Sequence, residues 1–158
     1  MQNNFLLSIC IPTLNRAEYL EGIIENFLQE TIHIEDDIAL RDLIQLVVVD
    51  GASKDNTSLI IKKYESECNL KYIKRSKRVG IDLDIIECVK ISDSKYTWLM
   101  SDDDLFMPNS IRYLFNFLKY NEVSGCFLNR TPYDFFIQKK VAEVKKWPGK
   151  LFSKNHFF

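Results

Sequence analysis

Leu46-Val47-Val48-Val49-Asp50-Gly51-Ala52-Ser53-Lys54-Asp55-Asn56-Thr57 is the stretch that decides the fold. Its first part is apolar and β-branched without alternation, as expected of a strand buried on both faces. Its second part is rich in residues that turn the chain and cap helices. Leu59, Ile60, Ile61 and Tyr64 then follow at helical spacing. Strand, turn and helix in that order form the unit of an α/β protein.

The same grammar holds on either side. Upstream, the apolar run Phe5 to Ile11 is broken by Pro12-Thr13-Leu14-Asn15, and Tyr19, Leu20, Ile23, Ile24, Phe27 and Leu28 recur as a helix would place them. The polar, acidic segment from Thr31 to Asp42 reads as an irregular or partly helical connection. Downstream, Leu70 to Lys74 is a short strand, and a loop with Gly80 leads to a helix with Ile81, Ile85, Ile86 and Val89 on its apolar stripe. Tyr96-Thr97-Trp98-Leu99-Met100 reads as a buried strand. Pro108 stands where a further helix would start, with Ile111, Leu114, Phe115 and Leu118 as its stripe. The predicted fold is an α/β/α sandwich around a mostly parallel central sheet.

In such a sheet ligands bind beyond the carboxyl ends of the strands. Pro12 to Arg16, Asp50 to Thr57 and Asp102-Asp103-Asp104 all follow strands, so the three loops can line one site. Three adjacent carboxylates repel one another unless a cation or hydrogen-bond donors compensate them, which suits a divalent metal with phosphate ligands. An acidic helix start is the ordinary alternative.

Composition narrows the classes. A chain of 158 residues with 46% hydrophobic content can bury one sizeable core, and its net charge of −1 provides no field for nucleic acid or an anionic membrane. Cys10, Cys68, Cys88 and Cys126 are scattered without zinc or disulfide spacing and read as reduced core thiols of a cytosolic protein. The N-terminal apolar run is too short to span a membrane and lacks the basic flank of a leader. His33 and His156 have no partners at ligand spacing. From Ile137 to Phe158, Lys139, Lys140, Lys145, Lys146, Lys150 and Lys154 alternate with Trp147, Phe152, Phe157 and Phe158. Such a tail suits either a surface-packed C-terminal segment or peripheral contact with an anionic membrane.

The usual phosphate-binding loops are missing, so a metal held by the triplet is the candidate neutraliser of phosphate charge. Asp50 at a strand end can accept from a nucleobase N–H or from ribose, or can simply close an Asx turn. Lys54 and Asp55 read as surface and capping residues. Arg16 suits a phosphate contact or a solvated helix face. Arg75, Lys77 and Arg78 form a short basic loop, read first as solvated charge and second as a phosphate contact.

Three ordered segments carry a resemblance. Ser8-Ile9-Cys10-Ile11-Pro12-Thr13-Leu14-Asn15-Arg16, then Val47 to Thr57, then Trp98-Leu99-Met100-Ser101-Asp102-Asp103-Asp104 with Pro108, resemble a family 2 glycosyltransferase of the GT-A, Rossmann-like fold. Val79-Gly80-Ile81-Asp82-Leu83-Asp84, with Tyr96 to Leu99, resembles the abequosyltransferase-like subgroup of bacterial surface polysaccharide synthesis. The resemblance implies that Pro12, Thr13, Arg16 and Ser53 line a nucleotide site and that Asp50 meets the base. It further implies that Asp102 faces ribose or metal, and that Asp104 ligates Mg²⁺ or Mn²⁺ with Asp103 competing for that role. Two departures stand out: Gly51 and Ala52 occupy the places of a second acid and a glycine, and Ser101 falls where a first metal-binding acid is common.

The implied reaction moves a sugar from a nucleotide-diphosphate donor to a saccharide or lipid-linked acceptor, with inversion, in the cytoplasm or at the inner face of the membrane. Inversion needs a general base. Glu122, Asp134 and Glu143 are the acids after Asp104, and none has a matching context. The expected division is a nucleotide-sugar-binding domain over residues 1–128 and the start of an acceptor-side region, or a tail, over 129–158, with the chain truncated after its nucleotide-binding part. A catalytically silent nucleotide-binding or scaffold domain is the alternative. A dehalogenase-like phosphatase is set aside because Ala52 stands where its second acid would be.

Overall fold

Uniformly apolar runs become the inner strands of the sheet. In the computed structural model, which describes residues 4–32, 34–35, 38–126, 128, 133–134 and 139–140, β1 (Phe5–Thr13) is followed by α1 (Ala17–Glu30). The connection predicted as irregular holds a small antiparallel ribbon, β2 (Ile34–Glu35) with β3 (Ile38–Ala39), and a 3-10 turn at Leu40–Asp42. Then come β4 (Ile44–Asp50), α2 (Thr57–Tyr64), β5 (Asn69–Lys74), α3 (Ile81–Ile91), β6 (Ser94–Leu99) and α4 (Ser110–Tyr120). An antiparallel pair, β7 (Tyr133–Asp134) with β8 (Lys139–Lys140), completes the described elements. Residues 1–116 and 117–158 form two compact units, and the sheet belongs to the first.

The four long strands run in the order β5-β4-β1-β6, every pair parallel. From β1 the chain moves outward to β4 and then β5, and finally returns past β1 to β6. Right-handed crossovers therefore place α1 and α2 on one face and α3 on the other, which is the predicted sandwich. All of β4, and β1 from Leu7 to Thr13, is buried. On α1, Leu20, Ile23, Ile24 and Phe27 are fully buried, each contributing roughly 1.5–3 kcal/mol.

Five expectations need correction. The strand β1 does not stop before Pro12; it pairs with β4 through Thr13↔Asp50. Proline lacks a donor, and here the missing N–H falls on the β6 side, beyond the ladder bond from Met100 N to Cys10 O. The last strand begins earlier than Tyr96 and is not buried: among the described residues β6 pairs with β1 alone, and Leu99 is 48% exposed. On α3 the expected stripe faces outward: Ile81, Ile86 and Val89 are exposed, whereas Asp84 and Cys88, one turn apart, are buried and Ile91 packs beside them. Leu59 of α2 is likewise exposed while Ile61 and Tyr64 are buried. The stripe on α4 is buried as predicted. All four cysteines are free; Cys10 and Cys88 are core thiols, but Cys126 is exposed. Among the described residues no helix is long and apolar enough to cross a membrane. The side chains of Asp134 and Lys139, the histidines, and the basic aromatic tail beyond Lys140 lie outside the described residues.

Candidate functional site

The strand order reverses between β1 and β6, and a crevice opens where adjacent strands send their loops in opposite directions. Thr13 ends β1 there, and its hydroxyl donates to Asp102 Oδ2 at 2.8 Å across that gap. One guanidinium nitrogen of Arg16, Nη1, donates to Asp102 Oδ1 at 3.0 Å and to Asp103 Oδ2 at 2.9 Å. The Ser101 hydroxyl donates to the other oxygen of Asp103 at 2.5 Å. Residues from two loops far apart in sequence thus share one charge cluster.

The carboxylates of that cluster are unlike. Asp102 is buried, and burial pushes its carboxyl above the usual range against the Thr13 and Arg16 hydrogen bonds, which favour the charged form. Asp103 is half exposed and held below that range, first by Ser101 and then by Arg16, which together outweigh its desolvation. Asp104 is half-buried, and its backbone N–H closes a turn onto Ser101 O at 3.2 Å. Among the described residues no group of three or more His, Cys, Asp or Glu side chains forms a metal cage. Magnesium commonly takes one or two carboxylates and completes its shell with phosphate and water. The triplet fits a cation of that kind and does not fit a dedicated protein cage.

A second group forms at the end of β4. Asp50 is fully buried, and its Oδ1 accepts the Ser53 N–H at 2.6 Å, closing the turn that is the ordinary reading of an aspartate there. Its Oδ2 accepts the Tyr72 hydroxyl at 2.8 Å, with Lys74 Nζ 3.8 Å away. Burial and the nearby Asp50 push the Tyr72 phenol up to about 12. The β1 and β4 loops are clasped together: Asn15 N–H donates to Ser53 Oγ, and Lys54 N–H donates to Asn15 Oδ1, both at 2.8 Å. Asn15 makes this possible from φ 54°, a left-handed conformation that Asn tolerates. Asp55 caps as expected, accepting from Thr57 of α2 and from the Ala17 N–H that starts α1.

Beside these loops lies a cavity of about 620 Å³ whose wall includes Lys54, Lys74, Arg75, Lys77 and Arg78 and no acid. Five cations around one concavity give it a positive local charge. Of the residues predicted to meet a nucleotide, Ser53 lines this cavity. Thr13, Arg16, Asp102 and Asp103 form the neighbouring cluster, Pro12 is buried within β1, and Asp50 is enclosed behind the turn it closes. Sequence reasoning did not single out Tyr72, Asn15 or Asp84. Tyr72 is readable only once β5 is in register, since Val48↔Tyr72 and Asp50↔Lys74 are ladder partners. Asp84 carries a signal, an acid repeated within the apolar Ile81-Asp82-Leu83-Asp84-Ile85.

The family model for glycosyl transferase family 2 matches residues 8–155. Among curated proteins, the chain is 30% identical over 116 residues to the abequosyltransferase RfbV of Salmonella typhimurium, covering 72% of this chain and 32% of that protein. Among solved structures it resembles Staphylococcus aureus TarS 1-349 in complex with UDP-GlcNAc, with a TM-score of 0.64, 21% identity, and coverage of 73% of this chain and 31% of that one. It also resembles the mannosyltransferase PcManGT of Pyrobaculum calidifontis in complex with GDP-Man and Mn²⁺, with a TM-score of 0.58, 21% identity and coverage of 72% and 31%. The chain therefore spans about a third of the length of these relatives. The structural likenesses show the fold, the GT-A arrangement expected from the strand-end loops. With its strands, crossovers and loops in that order and the family model covering nearly all of it, this chain belongs to glycosyl transferase family 2.

Proposed function

We propose that this chain is the donor-binding part of a glycosyltransferase that uses a nucleotide-diphosphate sugar in making bacterial surface polysaccharide. The observation that supports the reading is a pair of features at the carboxyl ends of the strands: the Thr13–Arg16–Asp102–Asp103 cluster at the β1–β6 reversal and the cationic cavity at the ends of β1, β4 and β5. The cavity supplies positive charge for the nucleotide, and Ser53 brings a hydroxyl to its wall. Thr13 fixes the rotamer of Asp102, and Arg16 keeps two neighbouring carboxylates charged and close together. A Mg²⁺ or Mn²⁺ held by one or two of Asp102, Asp103 and Asp104 would stabilise the charge that grows on the departing diphosphate. The GDP-Man of the mannosyltransferase and the UDP-GlcNAc of TarS support a nucleotide-sugar donor, and the mannosyltransferase's Mn²⁺ supports a divalent metal.

The acceptor in this reading is a saccharide or a lipid-linked saccharide, reached in the cytoplasm or at the inner membrane face, and transfer proceeds with inversion. Residues 1–128 make the nucleotide-sugar domain, and 129–158 begin the acceptor side or form a tail. Calorimetry with UDP, CDP and GDP, each with Mn²⁺ and with EDTA, tests the proposal. One nucleotide should bind more tightly with Mn²⁺, because each ligand neutralises charge the other leaves exposed. Asp104→Asn should weaken that binding by about 1–3 kcal/mol. Equal affinity in Mn²⁺ and in EDTA would remove the metal from the reading, and no binding of any nucleotide would remove the reading itself.

A further inference from the structure

Arg75, in the cavity wall, is fastened from several sides. Its backbone N–H donates to Asp50 O at 2.8 Å, so β5 delivers it directly beside the end of β4. Its Nε donates to Asp84 Oδ1 at 3.0 Å, and its Nη2 donates to Leu83 O at 2.9 Å and lies 3.3 Å from Glu87 Oε2. Nε and Nη2 are thereby engaged by α3, and among the described contacts Nη1 is not. Lys77 and Arg78, by contrast, are exposed. A guanidinium has a planar fork, so fixing one edge fixes the direction of the other.

Asp84 is 5% exposed, a burial that carboxylates rarely show without a partner. Its second oxygen lies against Gly51: a Cβ added there would sit 2.9 Å from Asp84 Oδ2. That separation is closer than a carbon and an oxygen tolerate in packed structure, and Gly51 has no positive φ to explain its lack of a side chain. The missing side chain makes room for the carboxylate. This explains why α3 turns Asp84 inward and leaves Ile81, Ile86 and Val89 outside.

We propose that Asp84 is a positioning residue of the donor cavity: it holds Arg75 so that the Nη1 edge addresses the bound nucleotide, and Gly51 provides the space that admits it. The proposal rests on the reading of the cavity as a nucleotide site, and two separate readouts distinguish its failure from the failure of that reading. The first needs no ligand. In a ¹⁵N-edited NMR spectrum the Arg75 Nε–H should be a sharp, slowly exchanging resonance. It should vanish in Asp84→Ala and persist in Asp84→Asn, which keeps an acceptor oxygen.

The second readout is binding of UDP, CDP or GDP in the presence of Mn²⁺. Asp84→Ala should weaken binding on the order of tenfold, the scale seen when a supporting hydrogen-bond partner is removed, and Asp84→Asn should restore most of it. Arg75→Ala should lose at least as much, and adding Asp84→Ala to it should cost nothing more, since residues acting through one contact are not additive. Gly51→Ala should weaken binding in the native background and be neutral beside Asp84→Ala. A thermal melt of each variant establishes that it is folded before titration. An Arg75 Nε–H signal unchanged in Asp84→Ala, or additive losses in the double variant, overturns the positioning role. An Asp84-dependent Arg75 signal in a chain that binds none of the nucleotides overturns the cavity's assignment, and with it the purpose given to Asp84.

Discussion

On the proposed reading a divalent cation at the triplet would compete with Arg16 for the same carboxylate oxygens, so Arg16→Ala should move metal affinity and nucleotide affinity in opposite directions. In the structure Arg16 Nη1 sits 3.0 Å from Asp102 and 2.9 Å from Asp103. Asp102 is only 6% exposed at its side chain, but Arg16 itself is 47% exposed and Asp103 43%. A hydrogen bond to a charged group contributes about 1.5–3 kcal/mol, and solvent access to Arg16 argues for the low end. The Asp103 contact, exposed on both sides, adds about 0.5 kcal/mol at most. The variant should therefore lose about 1.5–2 kcal/mol of stability in EDTA. A cation reaching those carboxylates no longer has to displace that contact, so Mn²⁺ should bind about tenfold more tightly, at 1.4 kcal/mol per decade. Nucleotide measured in EDTA should bind more weakly, because a positive charge has gone from the site. Urea unfolding, Mn²⁺ titration followed by electron paramagnetic resonance, and calorimetry with nucleotide read the three quantities. Mn²⁺ affinity that is unchanged or lower in Arg16→Ala would refute the competition and assign Arg16 to holding the loop's shape.

Two further outcomes follow from the β4 turn. Ala52 adopts φ 79°, a left-handed conformation that costs an L-residue about 1–2 kcal/mol. Ala52→Gly removes that strain but loosens the unfolded chain by about 0.4–1 kcal/mol. It should thus stabilise by about 0.5 kcal/mol in urea titration, and a destabilisation would show that the methyl group's packing outweighs its backbone strain. Asp55 caps two helices, and its hydrogen bonds from Thr57 and Ala17 hold its carboxyl below the usual range even though burial acts the other way. A lowered folded-state value means that the contribution is complete above the unfolded value near 3.9 and is lost as pH falls through the folded one. Asp55→Ala should cost about 0.5–2 kcal/mol at pH 7 and almost nothing at pH 2, with the gap between the two stability curves closing below about pH 4. A gap that stays constant down to pH 2 would contradict the capping role.

The inner half of this fold was legible because β1 and β4 are buried on both faces, and an uninterrupted apolar run has few other uses. The same logic failed at the sheet edges. Tyr96 to Met100 is as apolar as an inner strand, yet among the described residues β6 pairs with β1 alone, and no local pattern states how many neighbours a strand will have. On α3 apolar residues occur on several sides, so periodicity could identify a helix but not its inward face. On the inward face Asp84 pairs with Arg75, nine residues earlier, and Cys88 packs against Cys10, Val47 and Val49. Within the site, Thr13, Arg16 and the aspartate triplet were recognisable as types, whereas the contact of Arg16 with Asp102, 86 residues on, depends on the crossover returning β6 to the side of β1. Asp50 shows the limit most plainly. Its Asx turn with Ser53 is local and readable, but the Tyr72 hydroxyl that closes its other oxygen comes from a strand placed by the sheet.

The central position of β1 has a consequence for how the chain is made. Phe5–Thr13 leaves the ribosome before either of its partners, pairs with β4 on one side, and waits for Ser94–Leu99 to cover the other. At roughly 5–20 residues per second the interval between Thr13 and Leu99 is about 4–17 s. That is long beside the microseconds of a hairpin or helix. Once β4 has been made, and until β6 follows, Leu7, Ile9 and Ile11 belong to a half-sheet with one open edge, the kind of surface that chaperones hold and that neighbouring nascent chains can invade. Thr13 meets Asp102 only after β6 has paired with β1, so any ligand that needs both residues would report that this pairing is in place.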